Sequence, residues 1–316
     1  MRYTLRQIEY FIATAETGSI TLASERVNVS QPSISTAIAQ LEQELDAQLF
    51  VRRHAQGLVL TPAGKSLLVE AKRLLEHAQQ IYEVASEAND KVRGQLSLGC
   101  MVTLAPMIMP ELSHAFVSAF PSTRVEQVVG DHDTLLRKLA SAEIDVAITY
   151  DLLIPEGFEF VPLASLAPHV LVGEVHPFAR LSAVTVQDIA PEPLLLLDLP
   201  ISREYFLAIF VQAGLSPNIG ARSPHQDILR TMAANGYGYT LANVRPRSNM
   251  AMDGRKLVRV RLAGDHRPMV IGLVSLKERR KSRLINVFES HCRNRISDAY
   301  IPGMVAPTME RRKRLT

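Results

Sequence analysis

Residues 18–45, GSITLASERVNVSQPSISTAIAQLEQEL, predict two short helices joined by a tight connection. Gly18 ends a preceding helix, 5–17, in which Leu5, Ile8, Ile12 and Ala15 recur at helical spacing with Phe11 alongside. Glycine accepts the positive φ found just past a helix end. Ser19 is placed to cap the next helix, 20–27, by accepting a backbone N–H, and Asn28 breaks it. Ser30 then caps a third helix, and Pro32 falls in its first turn, where no N–H partner is needed. Ile34, Ile38, Leu41 and Leu45 form one face of this third helix, and Ser33, Thr36 and Gln40 form another. Short hydroxyls and amides on such a face can hydrogen-bond to base edges and phosphates. An ordinary amphipathic helix carries the same face as a solvated surface, so the helical pattern by itself leaves both readings open.

The continuation favours nucleic acid. Residues 49–66, LFVRRHAQGLVLTPAGKS, predict strand, turn and strand, with Gly57 in the turn and Leu58, Val59 and Leu60 in the return. A hairpin wing beside a reading helix brings Arg52 and Arg53 to the phosphate backbone. Bulk charge gives no help, because residues 1–60 hold five arginines against six carboxylates. Affinity must then come from the placement of Arg52, Arg53 and the helix N-termini.

The segment from Leu5 to Leu68 resembles the LysR-type transcriptional regulators. The features that carry the resemblance are Gly-Ser at 18–19, Ser-Gln-Pro-Ser-Ile-Ser at 30–35, Leu-Glu at 41–42, Leu-Phe at 49–50, Arg52 or Arg53, and Leu-Thr-Pro-Ala-Gly at 60–64. Two departures stand out: Asp46 where the family usually has glycine, and Ala23–Ser24 where it has paired alanine. The resemblance implies that Gln31, Ser33, Ser35 and Thr36 open the recognition helix. Gln31 and Thr36 are then the base readers. Ser30, Ser33 and Ser35 hold phosphates or cap the helix, and Pro32 sets its geometry. It also implies a linker helix, often a tetramer, and a two-lobed effector domain similar to periplasmic binding proteins.

From Pro62 to about Asp90 no further proline occurs. Leu67, Ala71, Leu74, Ala78, Ile81 and Ala85 alternate spacings of four and three, flanked by Leu68, Leu75 and Tyr82. That is a heptad seam, expected to pair two chains and to hold two reading heads about one DNA turn, or a multiple of it, apart. Lys91 to Gly94 read as the hinge into the next domain.

Beyond Gly94, strands alternate with helices, which predicts a parallel sheet. Strands are expected at 95–99, 124–129 and 145–149, with helices at 104–116 and 134–140 between them. A second unit has strands at 169–172, 194–197, 237–240 and 257–261, and residues 269–274 return to the first. Two α/β lobes joined by two crossovers make a cleft, and ligands in such sheets bind at strand C-termini near helix N-termini. The cleft candidates are Cys100, Met101, Val102 and Thr103 after the first strand, Asp131 after the second, and Tyr150 and Asp151 after the third. Ile201, Ser202, His225, Gln226 and Thr240 complete the set. Thr103 and Ser202 also suit plain N-caps, and Asp131 suits a helix cap. With Asp131 in the cleft, an amine, amide or zwitterion fits better than a simple carboxylate.

The expected fold is therefore multidomain, mixing α+β and α/β. A winged helix-turn-helix spans 1–61, a linker helix 62–90 and a two-lobed effector domain 91–303. Lobe I takes about 94–164 and 267–296, and lobe II about 165–266. The basic tail 304–316 reads as a solvated, disordered end. The chain of 316 residues, 47% apolar and 21% charged, is that of an ordinary soluble protein, and its net charge of +3 identifies no partner. No run reaches membrane-spanning length, and MRYTLRQIEYF lacks the apolar core of a signal peptide, so a cytoplasmic location is expected.

Several other chemistries fail on their motifs. Ala-Gly-Lys-Ser at 63–66 resembles the end of a P-loop, but Val59 stands where the first glycine is needed. The histidines show no His-Glu-x-x-His, no Cys-x-x-Cys occurs, and no Gly-x-Ser-x-Gly supports a serine hydrolase. No catalytic residue, metal site or cofactor is expected, and the chain is read as a regulator, not an enzyme. The expected partners are double-stranded promoter DNA, a small-molecule effector, a second copy of the chain and RNA polymerase. Two alternatives remain. One is a thiol sensor of the same architecture using Cys100, with Cys292 the only other cysteine. The other is a solute-binding protein, against which the N-terminal reading head counts.

Overall fold

A computed structural model describes residues 3–53, 57–87, 92–277 and 281–305. Two compact units are found, Met1–Lys91 with Ala140–Glu143, and Val92–Leu139 with Ile144–Thr316.

The N-terminal unit contains α1 (Leu5–Thr17), α2 (Ile20–Val27), α3 (Gln31–Leu45), β1 (Phe50–Arg53), β2 (Gly57–Leu60) and α4 (Pro62–Glu87). Each early helix start is capped: Thr4 and Gln7 form a reciprocal capping box, Ser19 accepts from Leu22 N–H, and Ser30 accepts from Ser33 N–H. Gly18 ends α1 at φ 65°. Asp46 ends α3 in the left-handed region at φ 47°, so an aspartate occupies the conformation that glycine adopts more readily. The core is Ile8, Phe11, Ala23, Ile34, Ile38, Leu41, Leu49 and Phe50, with Phe11 and Phe50 edge to face at 5.5 Å. Leu5 and Leu45, expected on the buried faces, are exposed because each lies in an end turn. Glu42 Oε1 accepts from the N–H groups of Leu49 (2.6 Å) and Phe50 (3.1 Å), which fixes the entry into β1.

The heptad seam of α4 is used differently from the expectation over its first half. Ala71 is buried in this unit's core, and Leu67, Leu68, Leu74 and Leu75 pack against that core. Intra-unit packing needs the same three-and-four spacing as a coiled coil, so the pattern did not separate them. The Ile81, Tyr82 and Ala85 side chains, with Lys91 and the tail from Ala306, lie outside the described residues.

The C-terminal unit runs β3 (Gly94–Met101), α5 (Ala105–Ala119), β4 (Thr123–Gly130), α6 (His132–Ala140), β5 (Val146–Tyr150) and β6 (Phe158–Leu166). It continues with β7 (His169–Gly173), β8 (Ala183–Val184), α7 (Val186–Ile189), β9 (Pro193–Leu197), α8 (Ser202–Gln212) and β10 (Asn218–Ser223). It closes with α9 (Gln226–Ala234), β11 (Thr240–Ala242), β12 (Leu257–Leu262), β13 (Met269–Leu276) and α10 (Arg283–Arg295). Lobe I is the sheet β4-β3-β5-β13-β6, in which β3 runs parallel to β4 and β5 while β13 is antiparallel to β5 and β6. Lobe II holds the sheet β11-β7-β12-β8 and the parallel pair β10-β9. The βαβ pattern thus gave the parallel half of lobe I and missed its antiparallel half.

Three of the described strands were not expected: β6, the two-residue β8, and β10. β6 contains Pro162, which is tolerated because β6 is an edge strand, paired among the described residues only to β13. β10 reads Asn-Ile-Gly-Ala-Arg-Ser, too polar to show an apolar pattern. The expected strand at 237–240 begins only at Thr240, because Gly236 and Gly238 hold positive φ.

Candidate functional site

In the N-terminal unit, one groove collects residues of both predicted elements. Ser19 and Thr21 open α2, Gln31, Pro32 and Ser35 open α3, and Arg52 comes from the wing. A backbone bond holds the wing in place, with Leu58 N–H donating to the Gly18 carbonyl oxygen at 2.9 Å. A Cβ at Gly57 would stand 2.7 Å from that same oxygen, so the approach requires glycine there. Arg52 faces Leu58 in the hairpin register, and its side chain is exposed. Arg53 pairs with Gly57, and its side chain lies outside the described residues.

The predicted reading face divides. Ser30 and Ser33 are joined hydroxyl to hydroxyl at 2.8 Å and serve the cap. Thr36 is exposed on α3, away from the groove lining. Gln40 Oε1 accepts from Gln7 Nε2 at 3.1 Å, which ties the middle of α3 to the start of α1. Ser19 and Thr21 were missed as groove residues, although the Ser19 cap already implied an open helix N-terminus with free N–H groups.

In the C-terminal unit, a narrow cavity of about 20 Å³ is lined from both lobes. Thr103, Tyr150, Ser202, Gln226 and Thr240 reach it, as expected from strand and helix ends. Thr103 Oγ1 and Tyr150 Oη lie 3.3 Å apart, and Tyr150 is buried, which raises its phenol pKa. Ser202 begins α8 just after a tight three-residue turn: its N–H donates to the Pro200 carbonyl at 2.7 Å, and Ile201 at the apex holds φ 69°. A β-branched residue at positive φ is strained.

The remaining cleft candidates are not in the lining. Cys100 and Met101 lie within β3, not in a loop, and are fully buried. Val102 packs on the core, as does Ile201. Asp131 Oδ1 accepts from Thr134 N–H at 2.8 Å, so its carboxylate is used as the cap of α6. His225 is exposed at the N-cap of α9 without capping it. Asp151 binds Arg267 (3.0 Å) and Val270 N–H (2.9 Å).

Two polar or charged residues of this region, Arg230 and Asn243, were missed. Arg230, only 6% exposed, lines the cavity one helical turn after Gln226, on the same face of α9. Burial lowers its pKa. Asn243 lies just past β11 and is buried, donating from Nδ2 to the Leu166 carbonyl (2.9 Å) and Tyr205 Oη (3.1 Å). Phe206, Leu229, Val244 and Met269 add apolar wall.

Both units match known protein families. Residues 5–65 match the bacterial regulatory helix-turn-helix protein, lysR family, and residues 89–297 match the LysR substrate binding domain. The HTH-type transcriptional regulator YvbU of Bacillus subtilis is 30% identical over 87% of this chain and 93% of its own. The Escherichia coli dual regulator OxyR is 30% identical over 75% of this chain and 78% of its own. HinK, a LysR family regulator from Pseudomonas aeruginosa, superimposes with a TM-score of 0.64 at 34% identity, covering 93% of this chain and 99% of that one. No helix among the described residues is long and apolar enough to cross a membrane. With a winged helix-turn-helix at one end and a two-lobed ligand-binding unit at the other, the chain belongs to the LysR family of DNA-binding transcriptional regulators.

Proposed function

We propose that this regulator reads its operator with the N-terminal half of α3 and grips phosphate with the wing. The observation that carries the reading is the groove that brings Gln31 and Ser35 to the same face as Arg52, beside the N-termini of α2 and α3. Gln31 and Thr36 supply base contacts. Ser30, Pro32 and Ser33 set the helix end, Gln40 holds α3 against α1, and Arg52 and Arg53 neutralise phosphate. A small molecule in the cavity between the lobes controls the output. Two copies pair through the distal half of the linker helix and assemble further into a tetramer that bends promoter DNA. The changed bend alters contact with RNA polymerase. The reading needs no cofactor or catalysis and suits a cytoplasmic protein. Coupling is reciprocal, so operator DNA changes effector affinity by the factor by which effector changes operator affinity.

DNA affinity measured at several salt concentrations tests the assignment. Thr36→Ala and Gln31→Ala should lower specific affinity by about 1–3 kcal/mol and leave non-specific binding nearly intact. Arg52→Ala should weaken both and reduce the salt slope by about one. Equal, salt-independent losses in all three would remove these roles.

Thiol sensing is the weaker reading for this chain, despite its similarity to OxyR. Cys100 and Cys292 are free and buried, and burial raises the pKa of both thiols.

A further inference from the structure

We propose that the effector is a small hydroxy-carboxylate, anchored through its carboxylate by Arg230 and through its hydroxyl by Asn243 Oδ1. The inference rests on reading the interlobe cavity as the effector site.

Arg230 supplies the anion anchor. Its side chain is 7% exposed, yet the closest carboxylate among the described residues, Asp227, is 4.0 Å away and itself 65% exposed. No hydrogen bond to Arg230 is found among the described residues, and the residue forms part of the cavity wall. Burying a guanidinium without a close partner is unfavourable, and a bound carboxylate would complete it bidentately. The lining contains no aspartate or glutamate to compete, since its other polar members are hydroxyls and amides. Arg259 reinforces the positive field, sharing with Arg230 the wall of a second, smaller cavity. The N-terminus of α8 at Ser202 adds to it.

Asn243 supplies the second contact. Its amide orientation is fixed, because the Leu166 carbonyl can only accept and so must face Nδ2. Oδ1 is therefore the free atom, and it is buried without a partner. An acceptor in that position calls for an O–H or N–H on the ligand. A protonated amine would find no carboxylate in the lining, whereas a hydroxyl needs none. The apolar wall, Leu197, Phe206, Leu229, Val244 and Met269, suits an aliphatic or aryl remainder. The free space inside is only about 20 Å³, so the ligand must be small and the walls must part to admit it. This replaces the amine or zwitterion suggested by Asp131, whose carboxylate is spent on the α6 cap.

The test is a dye-based thermal shift on the full chain, followed by calorimetry. The probes are lactate and mandelate, their amides, the parent acids propionate and phenylacetate, and the amino acids alanine and phenylglycine. At least one hydroxy acid should raise the Tm, with its amide and amino counterparts inactive and its parent acid at least tenfold weaker. Arg230→Met should weaken that binding at least a hundredfold while the ligand-free Tm holds or rises. A purely structural arginine would instead lower the ligand-free Tm. Arg230→Lys should restore part of the affinity, and it carries the test if the methionine variant fails to fold. Asn243→Ala should erase the preference for hydroxy acid over parent acid. Amides binding as well as acids, binding indifferent to Arg230, or no acid raising the Tm would overturn the proposal. If binding is also indifferent to Thr103→Ala and Ser202→Ala, the cavity itself is not the effector site. If those variants abolish it, the site stands and only the ligand class is wrong.

Discussion

Cys100 stands in β3 between β4 and β5 with no solvent access, and Cys292 is equally buried on α10. Only the thiolate attacks an alkylating agent. Native protein treated with iodoacetamide at neutral pH should therefore stay unlabelled at both cysteines by mass spectrometry, and label fully after unfolding. Rapid native labelling of Cys100 would restore it as a sensor. The position of Cys100 along the chain was readable, but its depth was not. Strand ends point to a cleft, which located Thr103, Tyr150, Ser202 and Thr240. Whether a given residue faces the cleft or the core depends on pleat and twist, and these are set by neighbouring strands distant in sequence. Arg230 was passed over for a different reason. A charged residue on an amphipathic helix reads as solvent-facing unless the partner element is known.

At the scale of elements, caps and turns were the most readable features because their causes are local. Gly18, Ser19, Asn28 and Ser30 punctuate the helices where their chemistry demands. The contact between the wing and the α1–α2 turn was not readable, since it joins Gly57 and Leu58 to a residue some forty positions earlier. Gly57→Ala should cost the head about 1–3 kcal/mol, from the collision with the Gly18 carbonyl and from a φ of 71° that alanine resists. DNA affinity should fall with it, because Arg52 rides on the same hairpin. A thermal melt with an operator titration checks both, and an unchanged melt would show that the wing is not pinned this way. The linker helix gives the opposite lesson. Its spacing was read correctly, but the partner for Leu67, Ala71 and Leu74 is its own domain.

For the molecule as a whole, stability should depend on pH in one direction. His132, His169 and His291 all have pKa values lowered by burial, His169 furthest, with Arg245 and Arg259 adding repulsion. The unfolded chain then binds protons that the folded chain refuses. The stabilisation is complete above the unfolded value of about 6.5 and is lost as pH falls below it. Each fully excluded proton contributes roughly 1.4 kcal/mol per pH unit in that window. The Tm should fall from pH 7.5 to 5.5, and His169→Gln should flatten the fall. A Tm that rises on acidification would contradict the assignment.

The order β4-β3-β5-β13-β6 has a consequence for synthesis. β13 lies between β5 and β6, and among the described residues it is the only strand that pairs with β6. It is translated after every strand of lobe II. While the ribosome is making lobe II, lobe I holds a half-built sheet with the edge of β5 open and β6 unpaired. Such edges invite pairing with other chains, and closing the sheet late requires a contact of long sequence separation. Lobe II can therefore close its sheets before the last strand of lobe I has been made. A ribosome stalled before Met269 would carry a chain that chaperones must shield, whatever the quality of the reading head already folded ahead of it.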